Sequence, residues 1–413
     1  MKKLFWFSKI GTKDSFSRIG EAILPILKND YDYKLYTIIN KNFNIKEDVL
    51  DIFDEIITMG DDINEGDLKL NEKEYSSYMN RNIGSDMNYS LLQGLAKCRE
   101  KKIKNFFITM GVYENNFFMK TIESIRNSYY SYLLDDIYII LYLPIDYIPS
   151  EESVKYIIKS DKIITTVPYM VNILKKLNAP VINWVEHGLD ERFKRFPVEK
   201  RSKLLDILNS VTNIWNGKCS IKENDIIILN ANLYYERKRI ESTIKAFNEV
   251  SKKMIGYNLK LWLHGCGTEK MINLVDNKNL LITSKKLSNS ELNLVYNICQ
   301  IGLQTSWGEG WSLTNCEHGM LGGLQVVPDW LACGYHFRDG RGILIPVDKQ
   351  LAYNEEKCEV ILGIPDQKQV EDKLCEAVKM ISEQKYNPEK TIEYLKQYTW
   401  KSACKKIDDV IEL

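Results

Sequence analysis

The chain lacks any apolar run approaching the ~18 residues that a membrane-spanning helix needs. Its N-terminus, MKKLFWFSKIGTKD, places basic residues before an apolar run, but that run is only Leu4–Phe7, too short for the core of a secretory signal. It also lacks charge of one sign. Lys plus Arg and Asp plus Glu both total 56, so no basic field argues for nucleic acid or for a generic anionic membrane surface. No C-x-x-C pair and no zinc spacing occurs among the nine scattered cysteines. An odd, dispersed set reads as reduced thiols in a cytoplasmic compartment. The first strand-to-helix turn, Lys9–Ser17, carries Gly11 but not the full G-x-G-x-x-G pattern, which leaves a dinucleotide site of that type unsupported.

What remains is an ordinary globular composition, 44% hydrophobic and 27% charged over 413 residues, long enough for two or three domains. Short apolar, β-branched runs alternate with helical patterns, which means βαβ units and parallel sheets. The spacing predicts strands at Met1–Ser8, Tyr33–Ile39, Glu55–Met59, Phe106–Thr109, Ile137–Leu143, Lys162–Val167 and Val181–Val185. Helices are expected to about Lys28 and near Tyr89–Lys101, Phe117–Ser131, Glu151–Lys159 and Tyr169–Leu177. The polar tract Gly60–Ser85 reads as a mobile loop or small insertion. A second alternation opens at Asp225–Asn230 and continues through strands at Leu259–Leu263, Leu280–Thr283 and Ile301–Thr305.

The most informative stretch is WGEGWSLTNCEHGMLGGLQVVPD, Trp307 to Asp329. An apolar strand runs into Gly308-Glu309-Gly310, a helix follows from about Ser312 to Leu321, Gly322-Gly323 stops it, and Leu324–Val327 is the next strand. A helix start after a strand presents free N–H groups and the positive end of the helix dipole, a ready anion site. Glu309 and Glu317, with seven residues between them, can accept hydrogen bonds from hydroxyls but cannot coordinate phosphate. Donors for phosphate beside acceptors for hydroxyls suit a sugar nucleotide. The plainer reading makes Glu309 a solvated loop residue and Glu317 an ordinary helix-face acid.

In this context the stretch resembles the Glu-x7-Glu signature of the family-four retaining glycosyltransferases. There it reads like EGFGLxxxEAMACGxPVV, with Trp311 standing here for the Phe and Ser312 for the second Gly. Upstream, Leu233-Tyr234-Tyr235-Glu236-Arg237-Lys238-Arg239 resembles the family's GRLxxxKG. Lys238 falls on the lysine that holds the donor diphosphate, whereas Leu233 falls on its arginine, and either Arg237 or Arg239 could supply the missing charge. His264-Gly265-Cys266-Gly267-Thr268 is similar to the G-x-G-P turn, with Thr268 in place of Pro; Cys266 has no paired base and reads as a small core residue. Glu186-His187-Gly188-Leu189-Asp190 resembles the family's H-G-V-D exit from the first domain, although His187 reads equally well as a turn histidine. Tyr398-Thr399-Trp400 resembles the start of the family's final helix, and Pro144-Ile145-Asp146 stands where the family often places a histidine.

The resemblance implies an α/β protein of GT-B fold, two Rossmann-like domains with parallel sheets facing across a cleft. It sets an acceptor-side domain at 1–190, a nucleotide-sugar domain at 191–395 and a helix crossing back at 396–413. It implies transfer of a sugar from a nucleoside diphosphate sugar to a glycan or other hydroxyl acceptor, with retention of configuration and no metal or other cofactor. Glu309 and Lys238 would be catalytic. Glu317, Gly310, Trp311, Ser312, Leu313, Thr314, Arg237, Gly265 and Gly11 would bind the donor. Asp61-Asp62 and Asp135-Asp136 do not form a metal pattern. A sugar-nucleotide epimerase or hydrolase of similar architecture, and a non-catalytic sugar-nucleotide-binding protein, remain as alternatives.

Overall fold

The computed structural model describes residues 1–8, 10, 15–39, 45, 47–58, 86–197, 201–210, 221–265, 267, 279–355 and 358–413. The expected loop at 60–85, with Asp61 and Asp62, lies outside the described residues, as do Gly11, Cys266 and Thr268. The chain divides into two compact units. One comprises Met1–Gly188, Asn354–Val360 and Trp400–Leu413, the other Leu189–Tyr353 and Ile361–Thr399.

In the first unit the elements run β1 (Lys2–Phe7), α1 (Ser15–Asp30), β2 (Tyr33–Ile39), β3 (Glu55–Thr58), α2 (Asp86–Lys101), β4 (Asn105–Thr109), α3 (Val112–Arg126), β5 (Tyr138–Leu143), β6 (Lys162–Thr165), α4 (Pro168–Lys176) and β7 (Val181–Trp184). The strands form one parallel sheet in the order β3-β2-β1-β4-β5-β6-β7. A parallel sheet covered on both faces needs strands that are apolar on both sides. Leu4, Phe5, Trp6, Phe106, Phe107 and Ile139 to Leu143 are accordingly buried. The closing helix, Trp400–Glu412, belongs to this unit. Its Ala403, Cys404, Ile407, Val410 and Ile411 share a core with Ile19, Ile23, Leu24 and Leu27 of α1. Each buried aliphatic side chain of this kind contributes about 1.5–3 kcal/mol.

The second unit holds α5 (Arg201–Ser210), β8 (Ile226–Ala231), α6 (Ile240–Lys253), β9 (Leu259–His264), β10 (Leu280–Thr283), α7 (Asn289–Ile298), β11 (Ile301–Leu303), α8 (Leu313–Met320), β12 (Leu324–Pro328), α9 (Leu331–Phe337) and β13 (Ile343–Ile345). After two further strands, Lys349–Glu355 and Cys358–Ile364, come α10 (Gln367–Ser382) and α11 (Glu389–Leu395). Its parallel sheet has the order β10-β9-β8-β11-β12-β13. Ile228, Leu261, Leu263 and Val326 pack with Ile244, Phe247 and Val250 of α6 and Val370 and Leu374 of α10. Among the described residues no helix is long and apolar enough to cross a membrane.

Two expected helices differ. The one placed at Phe117–Ser131 starts five residues earlier, at Val112, and ends at Arg126. A 3-10 helix at Tyr129–Leu134 follows, its start capped by Ser128, whose side chain accepts from the Tyr130 N–H. The one placed at Glu151–Lys159 splits into Glu151–Val154 and a 3-10 turn at Ile157–Lys159. The cause is a distant side chain: Asn116 Oδ1 accepts from the N–H groups of both Tyr156 and Ile157, at 3.2 Å each. Those donors are thereby withdrawn from an α-helical ladder.

Candidate active site

The strand order of the second unit reverses at β8 and β11, which lie side by side although β8 is followed in sequence by β9. Open α/β sheets take ligands outside the carboxyl ends of strands at such a switch point. Two loops meet there. After β8 the chain passes Asn232 and Leu233, makes a 3-10 turn at Glu236–Lys238, and enters α6 through Arg239 in the left-handed conformation, φ 50°, ψ 46°. After β11 it runs through Gln304, Thr305 and Ser306 into Gly308-Glu309-Gly310 and α8. The loops are bonded to each other. Trp307 N–H donates to the Arg237 carbonyl at 3.0 Å, and the Thr305 hydroxyl donates to the Arg239 carbonyl at 2.8 Å.

This arrangement brings Lys238 to Glu309. The ammonium Nζ is 2.6 Å from Oε1, and Arg237 Nη1 is 3.7 Å from the same oxygen. Arg237 also donates to the Ser306 hydroxyl, at 3.5 Å, and to the Gly308 carbonyl. Burial alone pushes the Glu309 carboxyl up. The fields of Lys238 and Arg237, with hydrogen bonds from Lys238 and Ser306, outweigh it and hold the group below the usual carboxylate range. Glu309 is therefore an ionised acceptor at neutral pH and not a proton donor. Arg239 takes another direction: its guanidinium lies 4.6 Å from the centre of the Trp307 ring.

Behind the ion pair runs a buried chain of amides. Gln304 Nε2 donates to Glu309 Oε1 at 3.3 Å and to Asn315 Oδ1 at 3.2 Å, while its Oε1 accepts from the backbone N–H groups of Thr305 and Ser306. Asn315 Nδ2 donates to Gln325 Oε1 at 2.8 Å, and Gln325 Nε2 donates to His318 Nδ1 at 3.1 Å. His318 Nε2 faces the Cys299 carbonyl at 2.9 Å. A carbonyl only accepts, so Nε2 carries the proton and Nδ1 is free to accept from Gln325. Burial keeps His318 neutral, its pKa lowered to about 4 against the opposing pull of the Cys299 carbonyl. Asn232 joins at the other end, donating to Gln304 Oε1 at 3.2 Å.

The other expected residues that are described are placed as follows. Ser312 sits at the head of α8 in the left-handed region, φ 65°, ψ 53°, where a glycine is the unstrained choice; its hydroxyl donates to Asn315 Oδ1 at 2.8 Å. Gly310 and Trp311 precede it, and Leu313 and Thr314 form the first turn of the helix. Trp311 is buried edge-on against His336, ring centres 4.3 Å apart, and against Tyr398 at 5.1 Å. His336 lies on α9, a helix in the tract Trp330–Arg341 that no local pattern indicates. Glu317 is buried one turn down α8, and the Tyr296 hydroxyl donates to its Oε2 at 3.0 Å. Gly265 holds φ 147°, and a Cβ there would lie 2.0 Å from the Asn232 carbonyl oxygen, so only glycine lets the β9 and β8 loops approach this closely. Leu233 is 51% exposed, while Arg237 rather than Arg239 stands beside Lys238. His187 belongs to the first unit, buried between Tyr142 and Trp400. Gln304, Asn232, Asn315, Gln325 and His318 were not anticipated. Their signal was polar residues interrupting apolar strand runs, as in Leu303-Gln304 and Leu324-Gln325-Val326. Among the described residues no group of three His, Cys, Asp or Glu side chains is placed to hold a metal ion.

No protein-family model matches the chain, and no curated protein sequence matches it. Solved structures do. HepE from Anabaena, in complex with UDP and glucose, superposes with a TM-score of 0.67 at 10% identity, covering 100% of both chains. Sucrose-phosphate synthase from Thermosynechococcus elongatus gives 0.66 at 11% identity, covering 100% of this chain and 98% of that one. The lipopolysaccharide outer core galactosyltransferase WaaB gives 0.60 at 11%, covering 100% and 99%. With two parallel α/β sheets of seven and six strands and these neighbours over its full length, the chain has the GT-B fold of glycosyltransferases.

Proposed function

We propose that this protein is a retaining glycosyltransferase that moves a sugar from a nucleoside diphosphate sugar to an acceptor hydroxyl without a metal ion. The observation that carries the reading is the meeting of Lys238, Arg237 and Glu309 at the switch point of the second unit, beside the start of α8. Lys238, Arg237 and the amides of Leu313 and Thr314 hold the diphosphate. Their stabilisation grows as the leaving phosphate gains charge, the work a metal ion would otherwise do. Glu309, held ionised, exchanges part of its contact with Lys238 for hydroxyls of the donor sugar and orients it. Glu317 accepts from the ribose, and Gly265 lets the β9 loop approach the ligand. The acceptor attacks from the leaving-group side, and a donor phosphate oxygen takes its proton, so that the anomeric configuration is kept. The neighbour solved with UDP and glucose supports a uridine donor.

The test is nucleotide release from UDP-hexoses with and without a panel of hydroxyl acceptors, in EDTA, with the product anomer read by proton NMR. Acceptor-dependent release and a retained anomer are expected. A strict metal requirement or an inverted product overturns the mechanism. Donor conversion that ignores the acceptor points to an epimerase or hydrolase instead.

A further inference from the structure

Beside the same turn lies a further pocket of about 290 Å³, lined among others by Arg239, Lys245, Thr305, Trp307, Ile364 and Pro365. All of these residues belong to the second unit. Two features of the pocket bear on what it can hold. First, it holds two cations, and among the described residues neither Arg239 nor Lys245 forms an ion pair with a carboxylate, whereas their neighbours Arg237 and Lys238 share Glu309. The one carboxylate in the lining, Asp366, is occupied at the head of α10, where it accepts from the N–H groups of Lys368 and Gln369. Second, Arg239 holds φ 50°, in the left-handed region that costs a bulky residue roughly 1–2 kcal/mol. That conformation places its guanidinium over Trp307. The backbone thus holds the Arg239 guanidinium against Trp307 at the wall of the pocket.

We propose that this pocket binds a phosphate monoester on a small polyol or sugar, at a site distinct from the one that holds the nucleotide. Arg239 and Lys245 take the phosphate; Trp307, Ile364 and Pro365 take the carbon skeleton. The volume lies at the lower edge of small-molecule pockets, roughly 300–1,000 Å³, which suits a sugar phosphate and excludes a whole nucleoside diphosphate sugar. Because Arg237, Lys238 and Arg239 are consecutive, with the carbonyls of the last two held by the Thr305 hydroxyl, the two sites share one turn.

The test is calorimetric titration of the full chain with ribose 5-phosphate and with inorganic phosphate, alone and in saturating UDP. Ribose 5-phosphate is expected to bind more tightly than inorganic phosphate and to do so equally well in UDP. Arg239→Gly and Lys245→Gln are each expected to weaken it at least about tenfold. Arg239→Gly suits the left-handed backbone, so its melting temperature should not fall, which separates lost binding from lost fold. Displacement by UDP would place the phosphate in the nucleotide site and overturn the proposal. So would equal affinity for inorganic phosphate, or binding that is indifferent to both substitutions.

Discussion

Lys238 Nζ stands 2.6 Å from Glu309 Oε1, with the two side chains 18% and 7% exposed. A pair this enclosed behaves asymmetrically. Removing one partner leaves a charge buried, which costs more than removing both. Lys238→Ala is therefore expected to lower turnover roughly a hundredfold, the loss of one charge-assisted donor to the leaving phosphate. It should also destabilise the fold by about 3 kcal/mol. Lys238→Met combined with Glu309→Gln should recover most of that stability and none of the activity. Urea unfolding and initial rates on the same samples check this; normal turnover in Lys238→Ala removes the lysine from the chemistry.

Glu317 is gripped by Tyr296, so its substitution must be chosen to spare that contact. Glu317→Gln keeps an oxygen to accept from the Tyr296 hydroxyl while removing the negative charge. UDP affinity measured by calorimetry is expected to fall about tenfold, the difference between a charged and a neutral acceptor for the ribose hydroxyls. Unchanged affinity with an unchanged melting temperature would take Glu317 out of the donor site.

The outline of this site was legible because its strands are continuous apolar runs and its helix is framed by glycines, patterns set by local sequence. Lys238 and the two glutamates are singled out by their resemblance to a family motif, set between apolar strands, and not by spacing alone. The amide chain from Gln304 to His318 could not be found in this way, because each of its polar residues sits in or beside an apolar strand or helix and gains its meaning from a partner up to 11 positions away, as Gln304 does from Asn315. The choice between Arg237 and Arg239 was closed to sequence for a related reason. Three basic residues in a row are equivalent on paper, and the left-handed turn at Arg239 sends one to Trp307 and its predecessors to Glu309. Asn116 broke an expected helix by a contact 40 positions distant, which no local pattern encodes.

Acid should unfold the protein through its buried histidines. His318 is held neutral by burial, with its pKa lowered to about 4. His187 is lowered to about 3 by burial and by the field of Arg18. Both folded values lie below the unfolded value near 6.5. Between these limits the unfolded chain binds more protons, so stability falls as pH falls. From pH 7 to 4.5 each histidine should cost roughly 2–3 kcal/mol. Glu309, whose folded value is depressed, adds its loss only at lower pH, below the ordinary carboxylate range. Urea midpoints measured across this range check the slope, and a flat profile between pH 7 and 5 contradicts it.

Gln304 is the residue through which Glu309 is held from behind. Its Oε1 satisfies the backbone N–H groups of Thr305 and Ser306, and its Nε2 reaches both Glu309 and Asn315. Gln304→Leu fills the same space but leaves two buried amides without that acceptor, at about 1–3 kcal/mol each. A loss of roughly 3 kcal/mol is expected, with turnover reduced because Glu309 is no longer fixed. Gln304→Glu separates the two functions. Its carboxylate still accepts from both backbone amides, but at neutral pH it faces Glu309 as a second negative charge and donates nothing. Once protonated it donates again. Relative to the parent chain, Gln304→Glu should therefore be less destabilised at pH 5 than at pH 8, while Gln304→Leu should show the same deficit at both. A Gln304→Leu variant as stable as the parent at both pH values would mean that Gln304 only fills space.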